Sequence, residues 1–217
     1  MNQLANRTGT LQAPQLDYIL LDGSSSMQHL WWDTIGALDN YTNTLRAQNI
    51  HSHCILHTFD SCDMDCIQRD DTLDKCGDFS TVGAHWGMTP LYDAINLMCR
   101  RLRDLDPPSC SIVIVTDGDD TSSHSTDATQ ARALLDWCRA KGWQVTFIGC
   151  DFNNSRQAQL LGADESNSIG VQKQKLFEAG KTLGNKRVKH ALYGDDINFS
   201  EDERKNFGGY LTNGGAK

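Results

Sequence analysis

The sequence lacks any long apolar run, and no segment approaches the length of a membrane-spanning helix. Its opening stretch, MNQLANRTGTLQAPQ, lacks the apolar core of a secretory signal. Basic residues are also scarce, because 20 Lys and Arg stand against 28 Asp and Glu and the formal net charge is −8. We therefore expect a cytoplasmic protein that binds neither membranes nor nucleic acids.

Cysteine is well represented, with eight copies. Several lie inside apolar runs such as SCSIVIVT, where a free thiol packs as a small core residue, and a reducing cytosol keeps it free. The segment CDMDCIQRDDTLDKC differs, because Cys62, Cys66 and Cys76 are candidate zinc ligands, with His57 or His85 as the fourth. Their spacing matches no established zinc motif, so an exposed hairpin is the favoured interpretation.

The apolar segments alternate between strand and helix patterns. Apolar, β-branched runs typical of buried parallel strands cover 16–22, 50–60, 110–117 and 143–151, with a weaker run at 167–171. Segments with helical periodicity lie between them, and residues 62–76 are too polar for a central strand. The pattern predicts an α/β fold with a doubly wound, mostly parallel central sheet, helices on both faces and a short antiparallel edge hairpin.

The composition changes near the end of the chain. We expect an N-terminal extension over 1–13, one folded domain over 14–187, and an acidic, glycine-rich tail over 188–217 that is flexible or loosely docked. A further hypothesis is that this tail reaches a neighbouring chain and drives self-association. It is prompted by the tail's acids, which are Asp195, Asp196, Glu201, Asp202 and Glu203.

Three loops carry the polar groups that point to function. They are DGSSS after the first strand, GMTPLYDA at the start of a helix, and TDGDDTSS after the strand at 110–117. In a doubly wound sheet the first strand lies beside the strand entered after the topology reverses, so Asp22 and Asp117 should be neighbours. Singly, a serine here caps a helix and Asp117 forms a turn. Together, these interpretations leave two acids at one crevice without a counter-charge, whereas carboxylates and hydroxyls are ligands that suit Mg²⁺.

These motifs resemble the von Willebrand factor A (VWA) domain with its metal-ion-dependent adhesion site. The matching pieces are D-x-S-x-S, supplied by Asp22, Ser24 and Ser26, a threonine in a glycine-containing turn, Thr89, and T-D-G, which contains Asp117. The resemblance extends to small soluble members found in bacteria and their viruses, and it covers most of the chain. The turn before the threonine departs from the family pattern, because many relatives have Gly-Gly-Thr where this chain has Gly-Met-Thr.

The resemblance implies a non-enzymatic binding module. In the family, the serines and the threonine coordinate Mg²⁺ directly or through water, the aspartates often act through water, and an Asp or Glu of a partner protein completes the shell. Mn²⁺ is the alternative ion. The competing hypothesis is a Mg²⁺-dependent phosphohydrolase of the haloacid-dehalogenase-like type. That chemistry needs a second aspartate two residues after the first and a nearby lysine, but position 24 is serine and the three loops contain no lysine.

Overall fold

The computed structural model describes residues 15–151 and 155–208. Its centre is one six-stranded sheet with the strand order β3-β2-β1-β4-β5-β6. The strands are β1 (Gln15–Asp22), β2 (Ser52–Phe59), β3 (Cys66–Thr72), β4 (Ser109–Thr116), β5 (Gln144–Cys150) and β6 (Ser168–Val171). Strand β3 is antiparallel to β2, and the other neighbouring pairs are parallel. The predicted α/β fold with its antiparallel edge hairpin is confirmed.

Helices cover both faces of the sheet. They are α1 (Trp31–Ala47), α2 (Leu91–Leu105), α3 (Ala128–Ala140), α4 (Ser155–Leu160), α5 (Leu176–Tyr193) and α6 (Glu201–Gly208). One apolar core lies between the sheet and α1 with α5, and a second lies between the sheet and α2 with α3. The central strands are buried on both sides, which explains their nearly unbroken apolar runs. Within the described ranges, no helix is long and apolar enough to cross a membrane.

Helix α5 is fixed against the rest of the fold by a close helix contact and a buried ion pair. A side chain at Gly180 would overlap the backbone of Ala37, so α5 approaches α1 more closely than any larger residue permits. Further along α5, Arg187 Nε lies 2.8 Å from Asp17 Oδ1 on β1, and both side chains are fully buried. The Tyr41 hydroxyl also donates to Asp17 Oδ1, at 2.5 Å. This network ties the last long helix to the first strand.

The end of the described chain corrects one expectation from the sequence. Helix α5 runs through the expected boundary between domain and tail, and the following segment packs on the edge of the sheet. Ile197, Phe199 and Phe207 are buried, and the Gln172 N–H donates to the Phe207 carbonyl at 2.9 Å. The expectation of a flexible tail is therefore wrong for 188–208. The segment is acidic on average, but Ile197, Phe199 and Phe207 reach the core, whereas Leu192 and Tyr193 stay exposed.

Two other expectations concern the N-terminus and the cysteines. The proposed extension over 1–13 lies outside the described residues. In the hairpin, the Cys76 thiol is buried and contacts the Cys54 carbonyl oxygen at 3.6 Å, whereas Cys62 is exposed. In 15–151 and 155–208, no group of three or more His, Cys, Asp or Glu side chains is placed to hold a metal ion. The zinc interpretation of the hairpin is therefore not supported.

Candidate metal centre

Strands β1 and β4 are neighbours, and the loops that follow them meet at one edge of the sheet. After β1 the chain enters a 3₁₀ turn over Ser25–His29, with Ser24 at its capping position. The Ser24 side chain makes no capping hydrogen bond; its Oγ lies 3.0 Å from Ser26 Oγ instead. The Ser26 hydroxyl in turn donates to Asp117 Oδ1 at 2.7 Å. A continuous row of side-chain oxygens therefore joins the first loop to the third.

Asp22 lies beneath this row and is fully buried. Its Oδ1 accepts the Ser24 N–H at 2.8 Å, and its Oδ2 accepts the Thr116 hydroxyl at 2.6 Å. Burial raises the pKa of Asp22 to about 6, the bonds from Thr116 and Ser24 oppose that rise, and the charge of Asp117 adds to it. At neutral pH the folded protein thus holds a carboxylate whose charge is poorly compensated, and a cation would stabilise it.

Asp117 is half-buried and adds a second negative charge. Burial raises its pKa, while the Ser26 hydrogen bond and the nearby His29 ring oppose the rise. None of the ion pairs found within the described residues involves Asp22 or Asp117. The cluster therefore presents oxygen donors of the kind that hard divalent cations prefer.

The second loop brings Thr89 to the same edge of the sheet. Thr89 is buried, its N–H donates to Thr121 Oγ1 at 3.1 Å, and the Thr121 N–H donates back to the Thr89 carbonyl at 2.9 Å. The Ser25 N–H donates to the Gly87 carbonyl at 2.9 Å, which links the first loop to the second. Helix α2 begins at Leu91 with Pro90 at its capping position, so Thr89 precedes the cap instead of forming it. Backbone bonds thus join all three loops.

The structure therefore brings four of the five predicted site residues into one hydrogen-bonded cluster. These four are Asp22, Ser24, Ser26 and Asp117. Thr89 lies on the adjoining loop, which is bonded to both of the others. No group of three or more His, Cys, Asp or Glu side chains in the described part of the chain is placed to hold a metal ion, and the cluster here offers two carboxylates together with hydroxyls.

Thr116 was not among the predicted site residues. Its hydroxyl donates to Asp22 and also accepts the Gly118 N–H at 3.2 Å. Thr116 therefore both orients Asp22 and shapes the third loop. The signal was present in the sequence, because a threonine that ends a buried strand directly before an aspartate carries a hydroxyl to the same edge. The motif T-D-G was recognised, but only its aspartate was taken as functional.

Asp93 and Asp120 connect the second loop to the third. The Asp93 carboxylate accepts the N–H groups of His124 at 2.8 Å and Ser125 at 3.1 Å. Burial works against its charge, yet these backbone bonds lower the pKa of Asp93 overall. Asp120 Oδ1 accepts the Tyr92 N–H at 3.2 Å. Asp93 therefore anchors the third loop on α2.

Comparison with known proteins adds evidence on the fold. No protein-family model matches the chain, and no curated protein sequence matches it. Among solved structures, the vWF domain of the type V pili tip protein Mfa5 from Porphyromonas gingivalis matches with a TM-score of 0.62 and 10% identity, covering 86% of this chain and 99% of that one. The von Willebrand factor type A structure from Catenulispora acidiphila matches with a TM-score of 0.59 and 13% identity, over 81% of this chain and 43% of that one.

The open conformation of the pilus adhesin SpaC from Lactobacillus rhamnosus GG gives a TM-score of 0.66 at 9% identity, over 83% of this chain. This chain spans only 31% of SpaC, so it corresponds to one part of that larger protein. At these identities the likeness concerns the fold alone. The class that the fold defines is the VWA fold, an α/β arrangement around a mostly parallel sheet.

Proposed function

We propose that this chain is a metal-dependent protein-interaction module. A Mg²⁺ ion, with Mn²⁺ as the alternative, is held by Asp22, Ser24, Ser26, Thr89 and Asp117. A partner protein presents an Asp or Glu side chain to that ion. The observation that supports this most directly is the row of oxygens from Ser24 through Ser26 to Asp117 above a buried carboxylate.

The charge of the ligand set suits capture of an anionic group. When bound, Mg²⁺ supplies an electrophilic centre that accepts an oxygen anion. Asp22 and Asp117 neutralise its two charges, whereas the hydroxyls of the serines and Thr89 add none. Thr116 holds Asp22 in place through its 2.6 Å hydrogen bond, and Ser26 is exposed, so the site is open to solvent on that side. A carboxylate from outside can therefore approach the ion.

The comparisons are consistent with a binding role. SpaC is described as a pilus adhesin and Mfa5 as a tip protein of type V pili. We propose a non-enzymatic function for this chain also, because the phosphohydrolase alternative needs a carboxylate at position 24. Ser24 stands there, and its hydroxyl is directed to Ser26. The cytoplasmic location expected from the sequence stays a prediction.

Self-association through the acidic tail has less support than the sequence suggested. Glu203 lies 2.9 Å from Lys186, and Glu201 lies 2.5 Å from Lys205, so both acids are paired within their own chain. Helix α6 also packs against β6. The proposal therefore assigns the acidic ligand to a different protein.

The test compares retention of partners by two proteins in two buffers. Immobilised wild type and Ser24→Ala are exposed to an extract of the source cells in Mg²⁺ and in EDTA, and retained proteins are identified by mass spectrometry. We expect the wild type to retain a specific partner in Mg²⁺ but not in EDTA. Replacing one Asp or Glu residue of that partner should abolish its binding. Equal retention in EDTA, or by Ser24→Ala, would contradict the proposal.

A further inference from the structure

Asp60 and Ser61 directly follow β2 and lie beside the first two loops, although neither is a candidate ligand. Asp60 is 2% exposed. Its Oδ1 accepts the N–H groups of Cys62 at 2.7 Å and Asp63 at 3.1 Å, which closes a tight turn after the strand. A third backbone N–H, that of His85, also donates to this carboxylate, so its orientation is fixed by three hydrogen bonds.

The same two residues bind the segment just before Thr89. Asp60 Oδ2 accepts the His85 N–H at 3.0 Å. The Ser61 N–H donates to the Met88 carbonyl at 3.0 Å, and the Met88 N–H donates to Ser61 Oγ at 2.8 Å. Three hydrogen bonds therefore fix the second loop on both sides of Gly87. Thr89 follows Met88 directly, so a shift of this loop moves Thr89 as well.

The glycines of both loops fit closely against this pair. A Cβ at Gly87 would lie 2.6 Å from Ser61 Oγ and 3.0 Å from Asp60 Oδ1. A Cβ at Gly23, in the first loop, would lie 3.4 Å from Asp60 Oδ2 and 3.0 Å from the Cβ of Ala84. The second loop therefore has little room to move toward Asp60, and a side chain in the first loop at position 23 would also meet this carboxylate.

We propose that Asp60 and Ser61 are positioning residues that set the place of Thr89 relative to Ser24 and Ser26. Together they form a clamp, defined as Asp60 and Ser61 with their bonds to the second loop. The affinity of the site for Mg²⁺ depends on this clamp, although neither residue contacts the ion. This inference rests on the proposed function for its metal-binding part, whereas the ordering of the second loop by the clamp does not.

The test therefore has two measurements, made on Asp60→Asn and Ser61→Ala. Hydrogen exchange of residues 84–89 in EDTA reports on the order of the loop without any metal. Titration with MgCl₂ alone reports on affinity. Asn at position 60 keeps one carbonyl acceptor and loses the second, so one of its backbone bonds must break. Ser61 is exposed, so we expect Ser61→Ala to fold as the wild type does.

The matched control is Asp63→Asn. Asp63 lies in the same turn and its carboxylate accepts the Asp65 N–H at 3.2 Å, so the variant removes an equal charge without touching the second loop. We expect both clamp variants to speed exchange at 84–89 and to weaken Mg²⁺ binding by about tenfold, as loss of residues that orient ligands usually does. The control should change neither.

The clamp would be overturned if neither clamp variant changed the exchange rate at 84–89. It would also be overturned if Asp63→Asn raised that rate as much as the clamp variants do. Faster exchange with unchanged Mg²⁺ affinity would overturn its link to the metal. A wild type that binds no Mg²⁺ would reject the proposed function instead, and the exchange comparison would still decide whether the clamp orders the loop.

Discussion

Replacing Asp22 with asparagine should stabilise the metal-free protein and abolish its response to Mg²⁺. Asp22 is fully buried, and its pKa is raised from 3.8 to about 6, chiefly by burial. Asparagine has nearly the shape of the protonated acid and carries no charge. It keeps an acceptor for the Ser24 N–H, and the Thr116 hydroxyl can turn to accept from the amide. The substitution therefore removes a destabilising charge at little structural cost.

The size of the effect follows from the pKa difference. When the pKa of an acid is higher in the folded state than in the unfolded state, its stabilising contribution is fully present below the unfolded pKa. That contribution is lost as the pH rises through the folded pKa. The rise in the pKa of Asp22 from 3.8 to about 6 means that ionisation of this group lowers the free energy of unfolding by about 3 kcal/mol. This loss is complete above pH 6. In EDTA at pH 7.5, Asp22→Asn should thus be more stable than the wild type by up to about 3 kcal/mol, and the difference should vanish below the unfolded pKa.

Urea unfolding in EDTA and in Mg²⁺ measures this prediction. Mg²⁺ should raise the midpoint of the wild type and leave that of Asp22→Asn unchanged, because a bound ligand stabilises only the protein that binds it. Asp93→Asn is the control: the pKa of Asp93 is lowered by its backbone bonds, so this substitution should destabilise the protein at pH 7.5. If Asp22→Asn were less stable than the wild type in EDTA at pH 7.5, the reasoning would be refuted.

Two further predictions concern α5. Arg187→Met leaves Asp17 charged and buried without its partner, so urea unfolding should show a loss of about 3–5 kcal/mol, partly recovered by adding Asp17→Asn. A variant as stable as the wild type would show that the ion pair does not hold α5. Gly180→Ala should cost about 1–3 kcal/mol or more in the same assay, because its methyl group would overlap the Ala37 backbone. Gly36 lies in a helix too, but a Cβ there would meet no atom closer than 3.9 Å, so Gly36→Ala should be neutral or stabilise the protein by up to about 1 kcal/mol. Equal losses in both variants would contradict the close packing.

The strands were predictable because burial on both faces demands unbroken apolar runs. The segment LDYILLD anticipates β1, and IHSHCILHTFD anticipates β2. The adjacency of β1 and β4 followed from the general rule for doubly wound sheets. Four site residues meet as expected, since each stands directly after a strand or in the turn that follows one.

Contacts between distant segments were not predictable from one sequence. The burial of Arg187 depends on Asp17, which lies 170 positions earlier. Phe199 and Phe207 stand among mostly polar residues in the sequence, yet both are buried. Asp60 and Ser61 directly follow β2, but only the folded loops show which backbone groups they bind.

The most direct test of the account is calorimetric titration of MgCl₂ into EDTA-stripped protein at pH 7.5. The wild type should bind one ion per chain, and both Ser26→Ala and Asp117→Asn should bind it far more weakly, because they break the row of oxygens between the first and third loops. Absence of saturable binding by the wild type at millimolar Mg²⁺, or binding that neither substitution changes, would contradict the metal centre proposed for this edge of the sheet.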